Sequence, residues 1–408
     1  MGEYMLAACV VLGLVAVGEV ISYLTKAVVP SMAGALILYV ILIWCGMPQH
    51  YPETVGFTTL GDMAFYMLCV GVGTGVAPGE YVKNIKSVIM ALVSVVCGMI
   101  LCVGVGGLIF GFDTMLSGAG ACCGGGAISA IAAITKLNDL GLVTLLGVPT
   151  IMMVTVDPIG QPIASFVLRK YAKKLNAEDA YLLERAAKVD TEEKTEKRLT
   201  FRGDEYGSPE NPSPFFPAWL PSGLDKDGVV LLEMALAVWA GVAIESLTGM
   251  SAFLWCFLIG IFGCTIGAFR LELFDSRANS SGFLYVLVIG YLLTSMNGLT
   301  PGSVLAVLPA VVALIVLSAV GLGVGGYISG KFFGYDPILS AAGGLGIMFL
   351  YPGIAIVSNE VSARMSRNDE ERDFIYGKVA PSMYIMGTTG FLFGLVFTVT
   401  ILLPLLAK

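Results

Sequence analysis

Ten apolar runs, each roughly 20 residues long, constrain the fold of this chain more than any other feature. They lie at 5–25, 28–47, 57–76, 87–110, 141–168, 228–247, 250–269, 281–299, 303–330 and 382–405. Each is as long as the helix that crosses the hydrocarbon core of a bilayer. The chain is 56% hydrophobic and 13% charged, whereas soluble domains are about one quarter charged. The sequence therefore predicts an all-α polytopic membrane protein of about ten transmembrane helices.

Two further stretches, 114–135 and 337–357, are rich in small residues but are interrupted by glycine or proline. The first contains the run Gly-Gly-Gly at 124–126, and the second contains Pro352 followed by Gly353. Continuous helix is disfavoured there, and irregular backbone at membrane depth is tolerated only inside protein or beside a cavity. We predict that both stretches form re-entrant hairpins.

The sequence matches itself at a constant offset of 223 residues in three separate places. Residues 18–25 match 241–248, residues 75–79 match 298–302, and residues 111–120 match 334–343. Any one match is weak, but three at the same offset indicate a duplication. The expected domains are a first repeat at 1–168 with hairpin 114–135, a hydrophilic linker at 169–227, and a second repeat at 228–408 with hairpin 337–357.

Each repeat crosses the membrane five times, which is an odd number, so the second repeat is expected to be inverted relative to the first. The two hairpins would then enter from opposite faces, behind Asp113 and Asp336. We expect both aspartates to cap the helices that follow them, because an Asp side chain accepts from free N–H groups at a helix start.

The distribution of Lys and Arg sets the orientation. With the N-terminus outside, ten of these residues fall in short inside loops and eleven in the linker, against two outside. Cytoplasmic loops carry the excess of positive charge. The sequence therefore predicts a multi-pass protein with both termini extracytoplasmic and a cytoplasmic linker.

The hairpins supply the candidate substrate ligands, since a half-helix that begins at membrane depth points free N–H groups and a positive dipole end at an anion. The candidates are Ser117, Gly120, Gly124, Gly125, Gly126, Ser340, Gly343, Gly344 and Gly346. The alternative for these glycines is close helix packing through small residues.

Asp157 is the leading candidate for cation binding, together with Gln161. It lies inside an apolar run, directly before Pro158 and close to Pro162, and these prolines leave backbone carbonyls without their usual donors. Carboxylate and carbonyl oxygens are the ligands that sodium uses in transporters. The alternatives are a structural Asp bonded to neighbouring helices and a carboxylate that carries a proton.

An enzyme is not expected. The sequence contains no HExxH, GxSxG or Walker motif, and the Asp113 and Asp336 pair, which could suggest an intramembrane aspartyl protease, is explained by duplication. The nine cysteines lie in apolar or Gly-rich segments without a CxxC. We therefore expect no cofactor, no metal other than a coupling sodium ion, and no nucleic acid partner.

The architecture resembles the bacterial sodium/glutamate symporter family and the related 2-hydroxycarboxylate carriers. The likeness rests on the inverted five-helix repeats, the central cytoplasmic loop and the Gly-rich hairpins, and on Val29-Pro30-x-x-Ala33-Gly34 and Gln161-Pro162-Ile163-Ala164. It implies sodium coupling, an elevator mechanism, a homodimer and a bacterial inner membrane. The first hairpin has Cys-Cys-Gly-Gly-Gly at 122–126 where glutamate symporters have a Gly-Gly-His-Gly type sequence, so the substrate stays open.

The sequence thus favours sodium-coupled symport of a small organic anion, such as glutamate, a dicarboxylate or a hydroxycarboxylate. One alternative is the membrane subunit of a sodium-pumping decarboxylase. Another is an exporter or facilitator that works without sodium on an uncharged solute.

Overall fold

The computed structural model describes residues 2–24, 31–74, 81, 84–177, 181, 226–269, 280–298 and 300–407. These residues are almost entirely helical, and no strand occurs among them. The match between 75–79 and 298–302, and most of the linker at 169–227, lie outside the described residues. So do the first two residues, Val29 and Pro30, of the motif at 29–34.

The first half of the chain contains eight helices within the described residues. They are α1 (Gly2–Leu24), α2 (Ser31–Trp44), α3 (Tyr51–Thr54), α4 (Phe57–Gly73), α5 (Ile85–Phe110), α6 (Phe112–Cys123), α7 (Ala127–Asp139) and α8 (Gly147–Ala177). Helix α5 includes a π-helical stretch at Ile100–Val105.

The described part of the second half contains seven more helices. They are α9 (Asp227–Thr248), α10 (Ala252–Ile266), α11 (Ser280–Ser295), α12 (Pro301–Phe333), α13 (Pro337–Gly346), α14 (Leu350–Met365) and α15 (Asp369–Leu395). Helix α15 continues as a π-helix over Val396–Leu402 and a short 3-10 helix over Leu403–Ala407.

Six helices in the described residues are long and apolar enough to cross a bilayer, namely α1, α5, α8, α9, α12 and α15. The other predicted spans fall on α2, α4, α10 and α11, which have 14 to 17 residues each. At 1.5 Å per residue these four are shorter than a hydrocarbon core of about 30 Å. The fold is that of an all-helical polytopic membrane protein, and the count of ten spans stays a prediction.

Two predicted boundaries differ from the structure because polar residues extend helices beyond the apolar runs. Helix α8 continues to Ala177, past the expected end at 168. Helix α15 begins at Asp369 rather than 382, and its start is capped by Asn368, whose side chain accepts from the Glu371 N–H. Acidic residues in the first turn stabilise this start through the helix dipole.

The helix boundaries of the second half follow those of the first half at the sequence offset of 223. Shifting α4 by this offset gives 280–296, and α11 covers Ser280–Ser295. Shifting α6 gives 335–346, and α13 covers Pro337–Gly346. Helix α8, which begins at Gly147, has its counterpart in α15, which begins at Asp369.

The helices pack as two groups, each drawn from both halves of the chain. The peripheral group comprises α1–α4 and α9–α11, and the hairpin group comprises α5–α8 and α12–α15. Helices within each group pack extensively on one another, while α2 with α8 and α10 with α15 make the main contacts between groups. The rings of Phe257 and Phe391, one from each group, meet edge to face with centroids 5.4 Å apart.

Helices α5 and α12 cross at two glycines whose numbers differ by the same 223 residues. A Cβ atom on Gly321 would lie 2.6 Å from the Cα of Gly98 and 2.9 Å from the carbonyl oxygen of Cys97. Only glycine allows two backbones to approach this closely. The crossing therefore holds the hairpin group together at its centre.

Gly321→Ala is expected to destabilise the protein by about 1 to 3 kcal/mol, because the added methyl meets main-chain atoms that can yield only if the helices separate. Gly323→Ala, two residues away in α12, is the control, since its Cβ would be 3.9 Å from Leu345. The control should be neutral or slightly stabilising through helix propensity. Thermal unfolding of both variants in detergent measures this difference, and equal midpoints would contradict the packing role of Gly321.

Candidate ion and substrate site

The first hairpin consists of α6 and α7, which pack on each other and are joined at residues 124–126. Gly125 and Gly126 have φ values of +99° and +63°, a region that disfavours residues with a Cβ atom. The Gly126 N–H donates to the Ala121 carbonyl at 2.9 Å and closes the turn. The glycine run predicted to break the helix does so in the structure.

The second hairpin consists of α13 and α14, separated by residues 347–349. Two bonds to the end of α8 show that the chain reverses. Lys174 contacts Asp336 at the start of α13, with Nζ and Oδ2 2.6 Å apart. Asn176 donates through Nδ2 to the Met365 carbonyl at the end of α14, at 2.7 Å. Both outer ends of the hairpin therefore lie at the C-terminal end of α8.

The two hairpins approach along α8 from opposite ends. In the first hairpin, a Cβ atom on Gly118 would lie 2.6 Å from Val148, one residue after the start of α8. Further along the same helix, Gly160 faces the turn of the second hairpin, and a Cβ atom on Gly160 would be 3.4 Å from the Cβ of Met348. The tips of the two hairpins, residues 124–126 and 347–349, thus meet near the middle of α8.

Asp157 lies where the tips meet. A Cβ atom on Gly126 would clash with Oδ1 of Asp157 and would lie 2.7 Å from the carbonyl oxygen of Met348. One residue from each hairpin and one from α8 therefore surround a single point. Oδ1 of Asp157 is buried and has no hydrogen-bond partner in the structure.

Helix α8 stays helical through Asp157 even though Pro158 and Pro162 lie inside it. Proline has no N–H, so the carbonyls of Val154 and Pro158, four residues earlier in each case, lack their intrahelical donor. Backbone carbonyls without donors are available to a cation beside the carboxylate. The described residues contain no group of three or more His, Cys, Asp or Glu side chains arranged for a metal ion.

Four helix ends also meet at this point. Helices α7 and α14 begin at the tips, while α6 and α13 end there. The beginnings present N–H groups and positive dipole ends, and the ends present carbonyls and negative dipole ends. The site thus offers N–H groups to an anion and carbonyl groups to a cation, within the same small region.

Gln161 lies one turn beyond Asp157 on α8 and is buried, with 7% of its surface exposed. A Cβ atom on Gly353 of α14 would lie 2.9 Å from its Nε2. The structure therefore brings Gln161, like Asp157 and Gly126, to the second hairpin. The predicted pair of cation ligands shares one face of α8.

Of the other predicted substrate ligands, Gly124 and Gly125 lie in the turn of the first hairpin and Gly346 ends α13, while the rest lie further along the hairpin helices. Ser117 donates to the Thr114 carbonyl at 2.7 Å and Ser340 to the Asp336 carbonyl at 3.0 Å, so both hydroxyls bond within their own helices. Several of the glycines sit at close helix contacts: Gly120 faces Thr398, Gly124 faces Gly394, Gly125 faces Phe391, Gly343 faces Met386, Gly344 faces Leu322, and Gly346 faces Met383. Their role as substrate ligands stays a prediction.

Sequence reasoning missed the carbonyl of Met348 and the small residues of α15 that receive the tips. A Cβ atom on Gly124 would lie 2.8 Å from the main chain of Gly394, and one on Gly390 would clash with Ile347. The spacing of glycines at 387, 390 and 394 was an available signal, because small residues three or four apart mark a helix face made for close packing.

The cap predicted at Asp336 is confirmed, and the cap predicted at Asp113 is wrong. The Asp336 side chain accepts from the N–H groups of Ile338 and Leu339 at 2.8 and 3.2 Å. In the first hairpin the N-cap position is occupied by Gly111, with φ +90°, and Asp113 is an exposed residue of the first turn. The helix there starts one residue before Asp113, which leaves its carboxylate inside the helix rather than ahead of it.

Asp336 lies between α12 and α13, outside the apolar helices. Partial burial alone would raise the pKa of its carboxyl, but the Lys174 ammonium and two backbone N–H groups of α13 hold the pKa below the ordinary value. A lowered pKa means that the ionised carboxylate stabilises the fold. That contribution is complete above the ordinary carboxyl pKa and is lost as pH falls through the lowered value.

Asp336→Ala is expected to cost about 1 kcal/mol, as N-cap removal does elsewhere, whereas Asp336→Asn keeps a cap and should cost less. Above about pH 4 the Asn variant should be less stable than wild type, and the two should converge at lower pH as the wild-type carboxylate protonates. Unfolding midpoints across pH measure this. Asp113→Ala, which removes an exposed carboxylate, should change little, and an equal loss at both positions would contradict the assignment.

Comparisons with protein-family models and with curated proteins returned no match. The class of the protein therefore rests on its fold and on this site. It is an all-helical polytopic membrane protein in which two broken helical segments meet beside a buried carboxylate.

Proposed function

We propose that this protein is a secondary active transporter that couples sodium to the symport of a small organic anion. The observation that carries the proposal is the meeting of two hairpin tips at Asp157, from opposite ends of α8. Alternating access requires a site that can be opened towards either face, and a hairpin on each side of one site meets that requirement.

Binding of a cation is supported by two oxygen ligands, one from Asp157 and one from Met348. Asp157 supplies a carboxylate oxygen, Oδ1, without a hydrogen-bond partner, and both this oxygen and the Met348 carbonyl lie beside Gly126. A buried carboxylate is costly unless a cation or proton compensates its charge. Sodium bound between the two hairpins would supply that compensation and would draw the tips together.

Binding of an anion is supported by the starts of α7 and α14. Their first N–H groups have no intrahelical acceptor, and both helices begin beside Asp157. A carboxylate substrate would accept from these N–H groups and would be stabilised by both dipole ends. Because backbone groups bind any carboxylate, the substrate class extends over amino acids, dicarboxylates and hydroxycarboxylates.

The agreement of helix boundaries at the offset of 223 supports two inverted repeats of five membrane crossings each. The repeats would then be 1–168 and 228–408, with both termini extracytoplasmic and the linker in the cytoplasm. A bacterial inner membrane and a homodimer remain proposals that rest on the family resemblance.

The division into two helix groups supports an elevator mechanism. Both hairpins, α8 and α15 belong to the hairpin group, and this group meets the peripheral group mainly through two helix pairs. Groups joined by limited contacts can move as rigid bodies. The hairpin group would carry the site across the membrane while the peripheral group provides the scaffold and the dimer contacts.

Uptake by purified protein in proteoliposomes tests the proposal. We expect uptake of a labelled small carboxylate to require an inward sodium gradient and to stop when choline replaces sodium. Equal uptake in choline would overturn sodium coupling. A co-purifying biotinylated subunit would point to the decarboxylase alternative, and salt-independent flux of a neutral solute would point to a facilitator.

A further inference from the structure

A polar stripe runs along one face of α8 from Asp157 towards the C-terminal end of that helix. Its members are Asp157, Gln161, Ser165 and Arg169, at intervals of four residues. Residues four apart lie on the same side of a helix, and this series covers about 18 Å along the axis. The stripe begins at the proposed cation site and leads away from it.

The stripe faces the second hairpin. Near Asp157, Gln161 lies against Gly353 of α14. Towards the C-terminal end of α8, Nη2 of Arg169 lies 3.3 Å from Oε1 of Glu360, which also belongs to α14. Ser165 lies midway between these two contacts and one turn from each, which places it on the side of α8 that packs against α14.

Three polar atoms of this stripe are buried without partners. Within the described residues, six buried side-chain atoms have no hydrogen-bond partner, and three of them are Oδ1 of Asp157, Oγ of Ser165 and Nε of Arg169. Ser165 is only 5% exposed. A buried polar atom without a partner is costly, and such atoms in native proteins are usually bound by water or an ion.

Two hydroxyls in these helices bond to the carbonyl four residues earlier, while Ser358 of α14, like Ser165, is buried without a partner. Thr155 of α8 donates to the Ile151 carbonyl at 2.9 Å, and Ser362 of α14 donates to the Ser358 carbonyl at 2.7 Å. Ser165 makes no bond of this kind, although a serine in a helix can readily do so. Its hydroxyl is instead buried without a partner.

The end of the stripe at Arg169 reaches the surface through charged residues. Glu360 accepts from Arg169 and from Arg364, at 3.3 and 3.1 Å, and the side chains of these residues are 36 to 60% exposed. Exposed ion pairs of this kind are weak and open readily. They mark the place where the stripe meets water.

We propose that the seam between α8 and α14 is a hydrated path along which the coupling cation passes between Asp157 and the C-terminal end of α8. Oγ of Ser165 bonds to water at its midpoint, and the Arg169, Glu360 and Arg364 cluster forms its mouth. The inference deepens the proposed function, since it rests on cation binding at Asp157, and it assigns the cation a route on the side of the second hairpin.

The test is chemical modification of S165C with a positively charged, membrane-impermeant methanethiosulfonate reagent in proteoliposomes, read at that residue by peptide mass spectrometry. K173C, at an exposed position near the end of α8, marks the side of reagent access. S318C is the buried control, because Ser318 is fully buried and donates to the Ile315 carbonyl at 3.0 Å. Q161C provides a second position on the path if S165C does not fold.

We expect S165C to be modified from the side that modifies K173C, not from the opposite side, while S318C stays unmodified. No modification of S165C and Q161C, or equal modification of S318C, would overturn the path. Labelling does not depend on transport. Sodium-independent uptake with S165C modified would therefore reject the sodium coupling and keep the path, whereas sodium-dependent uptake with S165C protected would reject the path alone.

Discussion

Asp157→Asn is expected to weaken the sodium dependence of uptake strongly while leaving the fold intact. The substitution keeps the shape of the side chain but removes the negative charge that would bind the cation. Loss of one interaction with a charged ligand costs about 2 kcal/mol, or about thirtyfold in the half-saturating sodium concentration. Initial uptake rates over a range of sodium concentrations measure this change.

The same variant makes a second, opposite prediction for stability. Oδ1 of Asp157 has no partner in the structure, so removing its charge should leave the sodium-free protein at least as stable as wild type. Sodium should then stabilise wild type but not the variant. Asp113→Asn is the matched control, with the same change of charge at an exposed position. A normal half-saturating sodium concentration in Asp157→Asn would remove Asp157 from the site.

Gly126→Ala is expected to eliminate transport. Its Cβ would occupy the point shared by Asp157 and the Met348 carbonyl, and alanine at φ +63° also strains the backbone by about 1 to 3 kcal/mol. The variant should therefore lose both stability and sodium binding. Thermal unfolding with and without sodium, together with uptake, measures the two effects separately.

Gly141→Ala is the control that distinguishes backbone strain from a methyl group that fills the cation site. Gly141 has φ +72°, but a Cβ atom there would have nothing within 4 Å. This control should lose some stability through strain and should keep its sodium dependence. If Gly126→Ala transports as well as Gly141→Ala, the hairpin tip does not form the cation site.

The helical fold and the broken segments could be predicted from the sequence because both depend on local properties. Apolar runs of membrane length specify helices, and the glycines at 124–126 specify a break through backbone conformation alone. Asp336 could be assigned as a cap because Pro337 follows it and fixes the first helical position. Asp113 has no proline after it, and the helix begins one residue earlier.

The groups that complete the site around Asp157 could not be predicted because they depend on which elements meet. Asp157 was a candidate because it lies inside an apolar run beside two prolines, but its neighbour, the Met348 carbonyl, belongs to the backbone and carries no sequence signal. The glycines of α13 illustrate the same problem. Gly343 and Gly344 lie against Met386 and Leu322, and composition alone does not distinguish a packing glycine from one beside a ligand.

In the proposed function, coupling would follow from the proximity of the cation and anion sites. A cation at Asp157 and an anion at the starts of α7 and α14 would share the same hairpin tips, so each would favour the arrangement that binds the other. Linkage requires the effect to be reciprocal, with equal changes in the two affinities. The coupling can thus be measured at equilibrium, without transport.

The most direct test of the account is a thermal-stability screen of purified protein against amino acids, dicarboxylates and hydroxycarboxylates, in sodium and in choline. We expect one class of carboxylate to raise the unfolding midpoint strongly in sodium and little in choline, and sodium to act more strongly when that ligand is present. Equal shifts in the two salts, or no shift with any carboxylate, would contradict a coupled cation and anion site at the hairpin tips.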